Sequence, residues 1–275
     1  MDKEQLAAEV LAEVSAGKNF REISPAFIRQ IVLQEMQPDE SRKETVKRVR
    51  SKLHQVANAY RAGSQNYRKL SSQIAGQRQE ISLEPLKPLC LELMQSHAST
   101  KERIPILDIF YREIFDRLPE IRSVLDLACG LNPLAIPWMK LAPDFSYLAI
   151  DLYQDMADLL NSFFGMAAID GSARVVSARV ANLLTEFPVE KADLTLLLKT
   201  LPVLEQVEKG AGSRILSQIQ SRWTVVSFPI FSLSGKQKGM KTNYENYFMG
   251  IIDPGQWRFE RIEFSNELVF LLERI

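Results

Sequence analysis

The chain has 275 residues, 46% hydrophobic and 25% charged, which is enough apolar material for a sizeable core and excludes an intrinsically disordered chain. Lys plus Arg (34) equals Asp plus Glu (34), which excludes a uniformly basic or acidic protein, and two cysteines exclude a disulfide framework. The first residues lack the basic start and apolar run of a signal peptide, and no apolar stretch approaches the ~20 residues that span a bilayer. A cytoplasmic protein with no membrane partner is therefore expected.

The first ~95 residues read as helices. Ser24-Pro25 is a start signal, because Ser can accept from free backbone N–H groups and Pro suits the first helical position. Phe27, Ile28, Ile31 and Val32 then fall on one helical face. Ser41 and Glu44 have capping-box spacing ahead of Val46, Val49, Leu53, Val56, Ala57 and Tyr60. Charge is segregated here: residues 1–40 carry a net −4 and residues 41–78 a net +9. Residues 63–66 break the helical pattern, and a short helix at 89–94 follows Pro85 and Pro88.

A second capping box, Ser99 to Glu102, opens a helix predicted to run to about Leu118, with Pro105 near its first turns. Strand-like runs then fall at 123–127, 147–150, 174–177, 194–198 and 223–228, with helical stretches expected between them. Two more, at 257–264 and 267–272, read as a hairpin. That order predicts an α/β fold: a mostly parallel sheet with helices on both faces and an antiparallel edge.

The segment Val124-Leu125-Asp126-Leu127-Ala128-Cys129-Gly130 is an apolar strand ending in a turn of small residues, which lets backbone approach a ligand. The second strand ends in Asp151, placed to accept from ribose hydroxyls. A dinucleotide fingerprint is missing, since the turn holds a single glycine, and Asp126 stands in place of the first glycine. A methyltransferase site is favoured over a dinucleotide site; the alternative is any strand–turn–helix of an α/β protein. Asn182 and Leu183 suit an adenine contact or, equally, a turn and a core leucine. Lys199 follows a buried strand where a reactive methyl would sit, or simply marks the strand's exit to solvent. The loop at 233–241 holds Lys236, Lys238 and Lys241, suited to polyanions or to plain solvation.

Five blocks occur in order: His97 through Arg103, Asp126 through Ala135, Leu196 through Leu204, Ser227 through Met240, and Asn266-Glu267-Leu268. Over about residues 50–275 they resemble the bacterial 16S rRNA (guanine-1405, N7) methyltransferases that confer aminoglycoside resistance. The resemblance implies a class I, Rossmann-like S-adenosylmethionine methyltransferase domain over 96–275 with a seven-stranded sheet. It also implies an all-helical module over 1–95 that docks on 16S rRNA in the 30S subunit, and a monomer is the default. His97, Ala98, Ser99, Ala128, Gly130 and Leu198 would line the cofactor pocket with Gln206, and Tyr60 would cover it. Arg103 would meet the methionine carboxylate, Asp151 the ribose, and Asn182 and Leu183 the adenine.

Guanine N7 carries a lone pair and no proton, so no general base is needed, and neither His54 nor His97 is assigned to proton transfer. Catalysis would be positioning, with Lys199 a candidate. Phe228, Tyr244 and Tyr247 are candidates to stack on a flipped base. Phosphate contacts are expected from Arg42, Lys43, Lys47, Arg48, Arg50, Lys52, Arg61, Arg68, Lys69, Lys236, Lys238 and Lys241. The alternatives are a methyltransferase for another rRNA base, such as adenine N1, and a non-catalytic rRNA-binding assembly factor.

Overall fold

The computed structural model describes residues 3–38, 40–56, 67–75, 83–166, 176–230 and 239–275. Among the described residues before position 95 there are five helices: α1 (Lys3–Ser15), α2 (Pro25–Glu35), α3 (Arg42–Val56), α4 (Tyr67–Ala75) and α5 (Lys87–Met94). α1, α2 and α3 pack on one another through Val10, Val14, Ile28, Ile31, Val46, Val49 and Leu53, all buried at helical spacing. The Ser41 capping box forms: Ser41 N–H donates to the Glu44 carboxylate (3.2 Å) and Glu44 N–H to Ser41 Oγ (3.4 Å). Ser24 departs from expectation. It precedes α2, but its side chain makes no cap; its N–H donates to the Leu152 carbonyl (2.8 Å) and Pro25 begins the helix.

The Ser99 box does not form. α6 (Ala98–Arg103) is entered two residues earlier, with His97 in place of Ser99 ahead of its first residue, and Glu102 turns away to Lys199, just beyond a strand end. The expected single helix is divided: a 3-10 turn at Ile104–Ile106 carries Pro105 before α7 (Leu107–Phe115), because proline lacks the N–H a continuous helix would use.

Seven strands follow: β1 (Ile121–Leu127), β2 (Leu141–Asp151), β3 (Val176–Val180), β4 (Leu194–Leu198), β5 (Trp223–Pro229), β6 (Trp257–Glu263) and β7 (Glu267–Arg274). Their order is β3-β2-β1-β4-β5-β7-β6, parallel except for β7, which pairs antiparallel with β5 and with β6. β4 reads Leu-Thr-Leu-Leu-Leu and every residue is buried, as expected of a parallel strand covered on both faces. α8 (Gln154–Met166) joins β2 to β3; α9 (Leu201–Val207) and α10 (Ala211–Gln218) join β4 to β5; α11 (Met240–Ile251) precedes β6. Two connections differ from the expected alternation. A 3-10 helix at Asn132–Trp138, with Pro133 and Pro137, joins β1 to β2, and residues 181–193 join β3 to β4 without a helix.

The N-terminal helices and the sheet share one apolar core. α4 lies on α8, where Ser71 and Ser162 hydroxyls meet at 2.6 Å, and α3 touches α9. The Ile23–Tyr153 bridge ties the segment before α2 to the end of β2. Among the described residues no helix is long and apolar enough to cross a membrane.

Candidate functional site

β1 and β4 are adjacent, while the chain after β1 crosses to β2 on the other side, so the strand order reverses between them. In open α/β sheets the crevice at that switch point, beyond the carboxyl ends of the strands, binds ligands. A cavity lies there. Its wall holds His97 and Ser99 from the start of α6, Ala128, Cys129 and Gly130 after β1, and Asp151, Leu152 and Tyr153 after β2. Leu198, Lys199, Thr200, Val203 and Leu204 after β4, with Met156 and Val56, complete it.

The β1 turn has the left-handed backbone that close approach requires: φ is +50° at Ala128 and +53° at Gly130. A Cβ on Gly130 would stand 2.7 Å from the His97 ring, so the glycine makes room for that imidazole. Asp151 is fixed by two backbone donors, Gly130 N–H at 2.8 Å and Leu152 N–H at 2.7 Å. Its carboxylate thereby sits at the cavity wall between two strand ends.

Lys199 is nearly fully buried and takes φ +60°, a conformation that costs energy for a residue with a Cβ. Its N–H donates to Ser227 at the end of β5, and its Nζ lies 2.8 Å from Glu102 Oε2 and 3.5 Å from Glu267 Oε2. Glu267, at the start of β7, is fully buried. It accepts Nε (3.0 Å) and a terminal nitrogen (2.6 Å) of Arg103 and the Ser227 hydroxyl (2.5 Å). Burial pushes the Glu267 carboxyl upward, but Arg103 and Lys199 outweigh it and hold it below the ordinary carboxylate range.

The network continues inward. Arg103 donates to Asn132 Oδ1 (3.0 Å), and Asn132 donates to Asp126 Oδ2 (2.9 Å), which also accepts the Tyr147 hydroxyl (2.6 Å). Burial pushes Asp126 up to about 7, and its Oδ1 has no hydrogen-bond partner among the described residues.

The structure thus gathers His97, Ser99, Ala128, Gly130, Asp151, Leu198 and Lys199 around one space, with Ala98 between its neighbours in α6. Four expected pocket residues stand elsewhere. Arg103 is spent on Glu267 and Asn132, so its guanidinium meets a carboxylate of the protein. Asn182 donates to Gln30 of α2 (2.7 Å) and accepts from Leu184 N–H (3.1 Å). Leu183 is buried in the core, and Gln206 has an exposed side chain whose backbone carbonyl accepts Lys52 Nζ (2.8 Å). Tyr60, Arg61, Lys236 and Lys238 lie outside the described residues.

Sequence reasoning missed Val203 and Leu204, although Thr200, Val203 and Leu204 have the i, i+3, i+4 spacing of one helical face directly after a strand. It also gave no role to Glu267, whose partners are far away in sequence. Of the base-stacking candidates, Phe228 is fully buried, and the Tyr247 hydroxyl is tied to Glu205 (3.1 Å). Tyr244 is half-buried and stacks on Phe228 with centroids 5.2 Å apart.

Several expected phosphate ligands have protein partners: Arg42 with Glu9 and Glu13, Arg48 with Glu40, Arg50 with Glu13, Arg68 with Glu22, and Lys241 with Glu263. Lys43 and Lys47 are exposed along α3 and make no ion pair among the described residues. Among those residues no group of His, Cys, Asp and Glu could hold a metal ion.

The fit of the cavity to S-adenosylmethionine rests on the left-handed backbone at Ala128 and Gly130 and on the Asp151 carboxylate, both in its wall. Comparison with known proteins agrees. The family described as "Ribosomal RNA methyltransferase (FmrO)" matches residues 16–271. A 16S rRNA (guanine(1405)-N(7))-methyltransferase of Micromonospora rosea is 33% identical over 95% of this chain and 94% of its own. The protein of the same name from Micromonospora echinospora is 32% identical over 97% and 96%. The crystal structure of the 16S rRNA methyltransferase RmtF with S-adenosyl-L-homocysteine superposes with a TM-score of 0.81 at 30% identity, covering all of both chains.

Proposed function

The chain belongs to the ribosomal RNA methyltransferase (FmrO) family, and from that premise we propose that it methylates N7 of guanine 1405 in 16S rRNA, conferring aminoglycoside resistance. The observation that carries this reading is the cavity at the switch point, built by a left-handed β1 turn, Asp151 and Lys199, in a chain whose likeness to those methyltransferases runs end to end. S-adenosylmethionine supplies an electrophilic methyl group when bound.

The protein's part is binding and alignment. Asp151, locked by two backbone N–H groups, is assigned to the ribose hydroxyls, and Ala128 and Gly130 to close backbone approach. His97, Ala98 and Ser99 are assigned to the wall facing them, with Leu198 as apolar floor. N7 of guanine has a free lone pair, so no residue must remove a proton. Rate enhancement then comes from holding the reacting atoms near ~3 Å in line.

Residues 1–95 are assigned as the docking module and 96–275 as the catalytic domain, acting as a monomer on the assembled 30S subunit. Lys43 and Lys47, with the arginines beside them on α3, are the phosphate contacts of choice. Folded rRNA would be recognised mainly by shape.

The test is transfer of labelled methyl from S-adenosylmethionine to purified 30S subunits, with the modified nucleotide mapped. The expected product is N7-methylguanosine at position 1405. Label at another base would make this a different rRNA methyltransferase. Cofactor binding by calorimetry without label on 30S would make it an assembly factor.

A further inference from the structure

Lys199, the positioning candidate, forms a pair with Glu102, a residue to which nothing above assigns a role. Lys199 sits in the cavity wall on a strained backbone; its ammonium donates to Glu102 Oε2 at 2.8 Å and lies 3.5 Å from Glu267 Oε2. Glu102 is different from the other carboxylates of this network: its side chain is 39% exposed, and its Oε1 has no partner among the described residues. Asn266 stands beside it, its amide nitrogen donating to the Glu102 carbonyl, while Asn266 Oδ1 is buried without a hydrogen-bond donor. Beside the cavity wall, the Lys199 ammonium thus stands next to a part-exposed carboxylate, with one buried amide oxygen close by that has no hydrogen-bond partner among the described residues.

We propose that this group reads the target base: Lys199 Nζ donates to O6, and Glu102 accepts from the N1–H and 2-amino groups of guanine. The inference rests on the guanine-N7 reading above. With N7 turned to the methyl donor, O6 is the next atom round the ring, followed by N1–H and the 2-amino group. That sequence of acceptor, donor, donor is the complement of a lysine beside a carboxylate. Adenine presents an amino donor where guanine has O6, and an acceptor at N1. It would set donor against Lys199 and acceptor against Glu102. Lys199 is buried, and a buried polar group left unpaired by the wrong base discriminates more strongly than an apolar pocket. The Lys199 backbone is held by Ser227, the Glu102 backbone by Asn266, and the two side chains by their mutual hydrogen bond, so the pair is in place before the base arrives.

The test is a double-mutant cycle between enzyme and base. Reconstituted 30S subunits carry either guanine or inosine at the target position, inosine keeping N7, O6 and N1–H but lacking the 2-amino group. Initial methylation rates are measured for the wild type and for Glu102→Gln, with cofactor affinity and thermal unfolding as controls. The wild type is expected to prefer guanine by roughly 10-fold, the scale of one good base contact. Glu102→Gln is expected to lower the rate on guanine and bring the guanine-to-inosine ratio close to 1, with cofactor affinity within about threefold of wild type, since Glu102 makes no part of that wall. An unchanged ratio in Glu102→Gln, or a wild type indifferent to inosine, overturns the proposal. Should Glu102→Gln be inactive or unfolded, Glu102→Asp keeps the carboxylate and shortens its reach, and its ratio decides in the same way. A wild type that methylates neither subunit refutes the reading on which this one rests, a separate outcome.

Discussion

The same chemistry, a guanidinium on a carboxylate, is used in two regions under opposite conditions. Between α1 and α3, Arg42 meets Glu9 (3.3 Å) and Glu13 (2.7 Å) with all three side chains 36–46% exposed. Between α6 and β7, Arg103 meets Glu267 at 2.6 Å with both side chains at 0%. Water has screened the first pair, so it contributes little and is free to exchange its carboxylates for phosphates. The second has no solvent to fall back on. Its worth lies in what its loss would leave behind, a buried charge without a counter-charge. The lesson is that distance ranks these pairs as equals and burial separates them. Burial also assigns them different tasks, exchangeable contact in the helical region and fixed placement in the sheet.

The largest effect expected of that difference is at Glu267. Glu267→Ala leaves Arg103 without its carboxylate and removes the farther of the two carboxylates beside Lys199, and should cost about 3–5 kcal/mol in urea unfolding. A loss below ~1 kcal/mol would erase the contrast between the two regions. The second test uses pH. Asp126 is raised by burial from the ordinary carboxylate range to about 7, so between these values the folded state holds a proton that the unfolded state has released. Its contribution is complete at low pH and is lost as pH rises through about 7. The melting temperature of the wild type should therefore fall relative to Asp126→Asn as pH is raised from about 5 to about 8. Parallel pH profiles would show that the inner network is not desolvated in the sense drawn here. The smallest effect belongs to the surface. Arg42→Ala should change stability by less than ~1 kcal/mol, and the difference should vanish in ~1 M salt, where the screening length is ~3 Å.

What the sequence shows follows the range of the interaction that decides it. β4, β5 and β7 are legible as largely apolar runs, because burial on both faces favours that composition, and the Ser41 box is legible because all its partners lie within three residues. The Ser99 box has the same spelling and does not form. Glu102 is drawn off by Lys199, 97 residues away, a competitor that local spacing cannot reveal. Arg103 is illegible for the same reason at greater range, its carboxylate standing 164 residues along the chain. The strand-end residues of the site, Gly130, Asp151 and Lys199, were readable since the topology alone brings strand ends together. Val203, Leu204 and Met156 required knowing which face of α9 and α8 looks into the crevice. Asn182 was placed by position after β3, and the structure instead gives its amide to Gln30 of α2, a partner in the other region.

The strand-like contact at residue 23 has a practical side. Ser24 N–H is bonded to the carbonyl of Leu152, Gln154 N–H to that of Glu22, and Leu152 and Tyr153 themselves belong to the cavity wall. A shortened chain beginning after residue 24 would strip those donors and acceptors from the wall and leave their backbone partners exposed. Trimming the whole helical region away would thus take the backbone partners of two neighbouring positions and, with Val56, a piece of the wall itself.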